Sequence, residues 1–307
     1  MAHQTMDYRR WTMDSKYLIV VGGPTASGKT GLGIRLARHF NTEILSADSR
    51  QFYREMNIGT AKPTAEELVQ AKHHFIDNLS IHDRYSVGDY EREALVLLEK
   101  LYQKNDVVVM VGGSGFFIRA VCEGLDNFPD VPTHVREELN QLFENEGITP
   151  LQNELKRIDP EYYAQVDTQN PKRLLRALEV CRVTGQPFSH FHNKEKPPRP
   201  FVPIYIGVDW EREALYERIN ERVDLMIEAG LEQEARDLYP LRHLTALQTV
   251  GYQEWFDFFE EKIDREEAIR LIKRNSRRYA KRQLTWFRKV EGMRWVEENF
   301  DFGIFDF

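Results

Sequence analysis

Residues 23–30 read GPTASGKT, and they stand between an apolar run at 17–21 and a helical pattern at 32–40. This combination of strand, glycine-rich turn and helix predicts a phosphate-binding loop. Free N–H groups at the helix N-terminus and the Lys29 ammonium would bind an anion, and the Thr30 hydroxyl would hold Mg²⁺. The segment therefore predicts a ligand with linked phosphates, and it leaves open whether the rest of that ligand is a nucleoside.

The composition is that of a globular intracellular protein. A chain of 307 residues is long for one compact domain, so we expect either two domains or one domain with a large insertion. The longest apolar stretch, 107–118, is too short and glycine-broken to span a membrane, and the N-terminus lacks an apolar signal region. We expect a cytoplasmic protein without a membrane partner, in which Cys122 and Cys181 are free packing residues.

The basic residues are unevenly distributed. The net charge is −7, yet nine of the 42 Lys and Arg residues lie between Ala268 and Val290, where there is no Asp or Glu. A basic stripe on an acidic body is the electrostatic footprint expected for a polyanion partner. A solvated helix face, the alternative interpretation, usually mixes both signs of charge.

Strand and helix patterns alternate in the first part of the chain. Apolar runs at 43–47 and 106–111 predict further buried strands, and capping patterns at Thr64 and Ser86 predict helices from about 65 and 87. Phe75 suggests another short strand, at 75–76. The pattern predicts an α/β fold with a P-loop NTPase-like parallel sheet flanked by helices, and a ligand site at the carboxyl ends of the strands.

The later chain predicts an insertion and a return to the sheet. We expect a flexible tail at 1–14, a P-loop core domain of 15–118 and 201–307 with basic C-terminal helices, and an all-helical insertion at 119–200. In the core domain we expect a strand at 202–208, a helix that begins at Trp210 with Asp209 as its cap, and a last strand at 293–296.

Several side chains near the predicted loop could carry chemistry. Asp48 follows the strand at 43–47, which suits a Mg²⁺ ligand or a general base. The segment 48–64 is rich in hydrogen-bond donors, which is typical of a binding loop. The strand at 106–111 ends in glycines and Ser114 rather than in a second carboxylate, and this argues against an ordinary nucleotide hydrolase.

Basic residues on three predicted helices are candidates for RNA contacts. Asn170 would cap a helix whose first turn carries cations, and an RNA phosphate would offset their repulsion with the helix dipole. Arg218 and Arg222 share a helix face, although neighbouring acidic residues offer them an ordinary pairing. The run at 274–282 has helical spacing with interleaved aromatic residues, most of which we expect to pack inward.

Six segments together resemble the bacterial tRNA dimethylallyltransferase family: GPTASGKT, DSRQFYREMNIGTAKP, GGSGFF, NPKRLLRALEV, TVGYQE and RRYAKRQLTWFR. The resemblance spans about residues 18–295. It implies transfer of a dimethylallyl group from its diphosphate to the exocyclic N6 of the adenosine on the 3′ side of the anticodon, with release of diphosphate. It also implies that the loop holds dimethylallyl diphosphate, with Mg²⁺ as cofactor and the tRNA anticodon stem-loop as partner.

The same resemblance assigns roles to individual residues. Asp48 would be the base, with Thr30 and Arg222 as further catalytic residues and Thr30 as Mg²⁺ ligand; Ser114 replaces the family's usual threonine. The diphosphate loop would comprise Gly23, Pro24, Thr25, Ala26, Ser27, Gly28, Lys29 and Thr30. The tRNA contacts would comprise Asp48, Ser49, Arg50, Gln51, Ser114, Lys172, Arg173, Leu174, Leu175, Arg176, Gln248, Thr249, Val250, Gly251, Tyr252, Gln253, Lys281, Arg282, Gln283, Trp286 and Arg288. Gln253 stands where relatives often carry arginine.

Two other functions stay open at this point. A P-loop nucleotide or small-molecule kinase would consume ATP without RNA, and a nucleotide-gated RNA-binding protein would bind tRNA without forming a product. No segment of the sequence is typical of oligomerisation, so we expect a monomer.

Overall fold

The protein's structure is a computed structural model that describes residues 15–126, 128–192, 194, 196 and 198–297. The predicted tail at 1–14 and the end of the predicted core domain, 298–307, lie outside these residues.

A six-stranded parallel sheet forms the centre of the fold, in the order β3-β2-β4-β1-β5-β6. Its longest central strands are uninterrupted apolar runs, as expected for strands covered on both faces. The strands are β1 (Tyr17–Gly22), β2 (Ile44–Ser46), β3 (His73–His74), β4 (Val107–Gly112), β5 (Val202–Val208) and β6 (Arg294–Val296).

Helices cover both faces of the sheet, because strand side chains alternate between the faces. Leu18 and Val20 of β1 share a core with helices α3 (Val87–Tyr102) and α4 (Gly115–Glu123). Ile19, on the opposite face, shares a core with α1 (Lys29–His39). The predicted P-loop type of α/β fold is thus confirmed, and it brings the carboxyl ends of β1, β2 and β4 to one edge.

The capping patterns place two helices as predicted. Thr64 and Ser86 each accept a hydrogen bond from the third residue of the following helix, and in each case that residue's side chain bonds back to the cap. Thr64 caps α2 (Ala65–Gln70), and Ser86 caps α3. Further helices in this part of the protein are α9 (Arg212–Glu228), α10 (Leu231–Leu238), α11 (Gln253–Phe259) and α12 (Arg265–Phe287). Trp255 of α11 is fully buried in a separate core that includes residues of α9, α10 and α12.

The described residues divide into two compact units, one within 15–123 and 199–297 and the other within 124–198. The second unit is helical and has its own leucine-rich core. Its helices are α5 (Thr133–Glu146), α6 (Thr149–Ile158), α7 (Pro160–Tyr163) and α8 (Pro171–Thr184). The predicted boundary at 119 falls inside α4, whose Ile118 and Val121 are buried in the core of the first unit.

Two other predicted bounds differ from the structure. The helix expected from Trp210 begins at Arg212, and Asp209 only accepts a hydrogen bond from the Trp210 amide. The strand expected at 75–76 lies at His73–His74, and Phe75 has a φ of 62°, which extended strands do not adopt. Within the described residues, no helix combines the length and the apolar character needed to cross a bilayer.

Candidate active site

A cavity of about 440 Å³ opens at the carboxyl ends of the central strands. The phosphate-binding loop and Asp48 line it, together with residues of α9 and α12. Parallel α/β sheets bind their ligands at this edge. The fold therefore brings the predicted loop, the predicted base and Arg222 into one pocket.

The loop itself is held by short-range hydrogen bonds. Gly28 adopts the left-handed conformation, with φ of 83°, immediately before α1 begins at Lys29. The Ser27 hydroxyl donates to the carbonyl of Pro24 at 2.9 Å, and the Lys29 ammonium donates to the same carbonyl. Lys29 thus lies folded along the loop, within the pocket that would receive an anion.

Two side chains from the segment after β5 support the loop from outside. The Arg218 guanidinium donates to the carbonyl of Ala26 at 3.0 Å, and the Trp210 indole N–H donates to the carbonyl of Ser27 at 3.1 Å. Arg218 also lies 4.2 Å from the centre of the Trp210 ring, within cation–π range. Neither contact is predictable from the sequence, because no motif relates Arg218 or Trp210 to the loop.

The charges in the pocket are strongly coupled. Burial and, to a smaller extent, the nearby Arg222 lower the pKa of Lys29 to about 7, although Asp48 acts in the opposite direction. Burial also lowers the pKa of Arg222, again opposed by Asp48. Two cations held partly out of water beside a single carboxylate favour binding of a further anion.

Asp48 and Ser114 each accept a hydrogen bond from the backbone of the segment that follows β2. An Asp48 carboxylate oxygen accepts from the Arg50 amide at 3.0 Å, and the Ser114 hydroxyl oxygen accepts from the Ser49 amide at 3.1 Å. Tyr279 lines the same cavity, where burial of its hydroxyl group raises the pKa of this phenol to about 12. The Ser114 hydroxyl is thus fixed to the residue that follows Asp48 in the chain.

Gly112 makes the close approach of β2 and β4 feasible. A Cβ at this position would clash with the backbone of Ala47, next to Asp48. An ordinary nucleotide hydrolase would carry a second carboxylate at the end of β4. This protein has glycines there instead, and they allow the backbones of two strands to come into contact.

Apolar side chains form much of the remaining wall. Ile219, Val223 and Met226 of α9 line the cavity together with Ile272 of α12. A pocket that combines a phosphate-binding loop with an aliphatic wall suits a ligand with a diphosphate group and a short hydrocarbon chain.

The predicted RNA contacts on α12 divide between surface and interior. Lys281, Arg282 and Arg288 are exposed, and Trp286 is half-buried against Phe287, at a centroid distance of 4.8 Å. Gln283 is only 6% exposed and its side chain points to the phosphate loop. Gln283 is therefore an interior residue, in contrast to the surface contact that the resemblance implied.

The predicted RNA contacts at 248–253 likewise include both residues that line the cavity and a residue of the interior. Gln248, Thr249, Val250, Gly251 and Gln253 line the cavity, and the Gln253 amide donates to that of Gln248 at 2.7 Å. Tyr252 is fully buried and its hydroxyl donates to Glu234 at 2.7 Å. Tyr252 is thus a core residue and not a surface contact, since Gly59 leaves room for its ring.

The predicted contacts on α8 show the same division. Lys172 and Arg173 are exposed, whereas Leu174 is fully buried and Leu175 is half-buried. Arg176 forms an ion pair with Glu179 at 3.2 Å. Leu174 is therefore a packing residue, because its position on α8 faces the core of the helical unit.

The loop after β2 is fixed by its own contacts. Gln51 uses its side-chain amide to donate to the carbonyls of Thr60 and Ala61 at 3.3 and 3.1 Å. Glu234 of α10 accepts from the backbone amides of residues 57, 58 and 59 at 2.8 to 3.0 Å. The role of Glu234 in holding this loop is not predictable from the sequence, because a glutamate on an amphipathic helix belongs to no motif.

The side chains of the pocket can be compared with the ligands that a magnesium ion needs. Among the described residues there is no cluster of three or more His, Cys, Asp or Glu side chains that could form a closed metal site. Mg²⁺ is commonly held by one or two protein oxygens plus ligand phosphates and water. Thr30 and Asp48, which both line the cavity, fit that open type of site.

Comparisons with known proteins agree with this geometry. The IPP transferase family model matches residues 51–290. The tRNA dimethylallyltransferase of Christiangramia forsetii is 58% identical over 92% of this chain and 94% of its own length. That of Flavobacterium johnsoniae is 51% identical, over 93% of this chain and 94% of its own length.

Solved structures lead to the same family. The tRNA isopentenylpyrophosphate transferase of Bacillus halodurans has a TM-score of 0.69 and 38% identity, covering 94% of this chain and 92% of its own. A eukaryotic dimethylallyltransferase acting on tRNA has a TM-score of 0.78 and 26% identity, covering 92% of this chain and 74% of its own. These matches confirm the family predicted from the six segments, and the chain belongs to the IPP transferase family, a family of prenyltransferase enzymes.

Proposed function

We propose that this protein transfers a dimethylallyl group from dimethylallyl diphosphate to N6 of the adenosine on the 3′ side of the anticodon in tRNA. The observation that carries this proposal is the shared pocket of phosphate loop, Arg222, Asp48 and aliphatic wall. The family membership supports the reaction class, and neither a kinase nor a non-catalytic RNA-binding protein has support among the relatives.

Asp48 is the general base in this proposal. The lone pair of the adenine amine is delocalised into the ring, so the amine is a poor nucleophile until its proton is removed. A carboxylate at Asp48 takes this proton as the N6–carbon bond forms and the bond between the allylic carbon and diphosphate oxygen breaks. The electron pair of the broken bond leaves with the diphosphate.

The phosphate loop and its neighbours bind the leaving group. The loop N–H groups, Lys29, Thr30 and Arg222 face the charge that builds on the diphosphate as it departs. Thr30 and Asp48, which both line the cavity, would hold Mg²⁺, and the ion would supply neutralisation of part of that charge. The aliphatic residues of α9 and α12 hold the dimethylallyl chain and exclude water from the reacting carbon.

The RNA is held by exposed cations. On α12, Lys281, Arg282 and Arg288 present positive charge to the phosphate backbone of the anticodon stem-loop, and on α8 Lys172 and Arg173 do the same. The target base must leave its stack to enter the pocket. We further propose that the protein acts as a monomer in the cytoplasm.

The affinity for diphosphate should depend on pH through Lys29. Its pKa of about 7 means that the free protein loses this charge as the pH rises above 7. Titration calorimetry with inorganic diphosphate should show affinity falling above that pH, by up to about tenfold per pH unit. Binding should also take up protons, because the bound anion favours the charged lysine.

A Lys29→Met variant separates this effect from titration of the ligand itself. This variant should bind diphosphate weakly, with a flatter pH profile of affinity, and an equally steep profile would contradict the assignment.

The lowered pKa of Lys29 also makes the free energy of unfolding depend on pH. Between pH about 7 and 10.5 the unfolded chain binds more protons at Lys29, so this residue raises the free energy of unfolding as the pH increases.

The salt dependence of tRNA binding should report the α12 cations. In Lys281→Ala and Arg282→Ala, tRNA affinity should fall and the log–log slope against salt should flatten by about one per lost contact. Filter binding at several salt concentrations measures both quantities. Arg270→Ala is the matched control, because Arg270 lies on the same helix but is paired with Glu267 at 2.6 Å. An equal slope change in the control would contradict the contact.

Turnover with alternative donors tests the proposed function as a whole. Unmodified tRNA is incubated with labelled dimethylallyl diphosphate, and separately the protein is incubated with ATP in the absence of RNA. We expect label in the RNA and no ATP consumption. ATP turnover without label would favour the kinase, and tRNA binding without any covalent product would favour the non-catalytic protein.

A further inference from the structure

Gln283 connects the two loops that form the floor of the pocket. Its side-chain carbonyl accepts from the backbone amide of Thr25, in the phosphate loop, at 2.9 Å. Its side-chain NH₂ group donates to the carbonyl of Gly113, after β4, at 3.0 Å. Both loop residues line the cavity. A single residue of α12 thus bridges segments that are far apart in the sequence.

The burial of Gln283 argues against direct contact with RNA. It is 6% exposed, while its neighbour Arg282, which also lines the cavity, is exposed. Both functional groups of the amide already have partners at good hydrogen-bond distance. Gln283 also lines the cavity, so a glutamine at this position, held by these two bonds, acts on the shape of the pocket from inside it.

We propose that Gln283 is a positioning residue that sets the shape of the phosphate loop for the diphosphate of the prenyl donor. This inference rests on the proposed function, because it concerns the donor of that reaction. A phosphate loop binds well only when its N–H groups are fixed in advance. Gln283 fixes the loop at Thr25, immediately before the residues that turn into α1.

The chemistry of the position requires an amide. One loop presents an N–H donor and the other a carbonyl acceptor, and a glutamine satisfies both. A glutamate would accept from Thr25 but would repel the carbonyl of Gly113, and a methionine would satisfy neither. Gly113 belongs to the same arrangement, because a Cβ there would clash with the Gln283 amide nitrogen.

Equilibrium binding tests the inference without turnover. Inorganic diphosphate and, separately, tRNA are titrated into the wild type, Gln283→Met, Gln283→Glu and the control Thr285→Ala, an exposed position on the same helix. For both Gln283 variants we expect the Kd for diphosphate to rise about tenfold and the Kd for tRNA to stay unchanged. Thr285→Ala should match the wild type in both titrations. Melting curves of each variant identify the folded protein at the assay temperature.

A double-mutant cycle adds a second test. Gly113→Ala should also weaken diphosphate binding, and combining it with Gln283→Met should add little, because both changes break the same bridge. Additive effects, an unchanged Kd for diphosphate, or a loss confined to tRNA binding would each overturn the inference. Since diphosphate binding requires no reaction, a failure to form prenylated RNA would contradict the proposed function and would leave the binding result standing.

Discussion

Asp48→Asn should lower the rate of prenyl transfer by about 10² to 10⁴-fold, the usual contribution of a general base. Asparagine keeps nearly the same volume, and its carbonyl oxygen can still accept from the Arg50 amide that now bonds to Asp48 at 3.0 Å. It cannot take the proton from N6. Single-turnover measurements, with the protein in excess over tRNA and with saturating dimethylallyl diphosphate, should therefore show the loss in the chemical step, with tRNA affinity largely preserved.

Asp106→Asn is the matched control for this variant. Asp106 flanks β4 at the amino end, the opposite edge of the sheet from Asp48, and it is an exposed partner of Lys16 at 2.6 Å. Its replacement should leave the transfer rate unchanged. Near-normal turnover in Asp48→Asn, or an equal loss in both variants, would show that Asp48 is not the base.

Arg222→Met should lower the same single-turnover rate by about 10² to 10³-fold, because one cation that faces the developing diphosphate charge is lost. A second effect follows from the coupling of the two cations. Since Arg222 lowers the pKa of Lys29, its removal should raise that pKa and allow diphosphate to bind at higher pH. The rate loss and the shifted pH profile together identify Arg222 as part of the anion site.

Two further variants sharpen this test. Arg222→Lys keeps the charge but not the planar donor geometry, so we expect a partial loss of rate. Arg212→Met removes an exposed cation from the first turn of the same helix, where the guanidinium lies 5.3 Å from the centre of the Tyr216 ring, and should have no effect. A loss in Arg222→Met that appears only as weaker tRNA binding would contradict the role.

The sequence predicted those parts of the fold that depend on local pattern. Apolar runs predict β4 and β5, and capping boxes predict the starts of α2 and α3, because periodicity and caps act over a few residues. The insertion boundary did not follow from pattern. Residues 115–123 form one helix whose apolar face packs on the first unit, and only tertiary packing shows where that helix belongs.

The same limit applies to the site. The loop and Asp48 line one cavity, because parallel strands bring their carboxyl ends together, and Arg222 of α9 lines the same cavity. Gln283 and Tyr252 lie in segments that resemble RNA-contacting motifs, but both side chains point inward. Gly113 and Gly59 determine this, since each leaves space that a side chain would otherwise fill, and they lie about 170 and 190 residues away in sequence. Such long-range complementarity is visible only in three dimensions.

Mapping the modified nucleoside tests the central claim most directly. Unmodified tRNA with adenosine on the 3′ side of its anticodon is treated with the wild-type protein, Mg²⁺ and dimethylallyl diphosphate, digested to fragments and analysed by mass spectrometry. We expect one dimethylallyl group on N6 of that adenosine, and none when Asp48→Asn replaces the wild type. A product at another nucleotide, or no prenylated product from protein that binds both substrates, would contradict the proposed reaction.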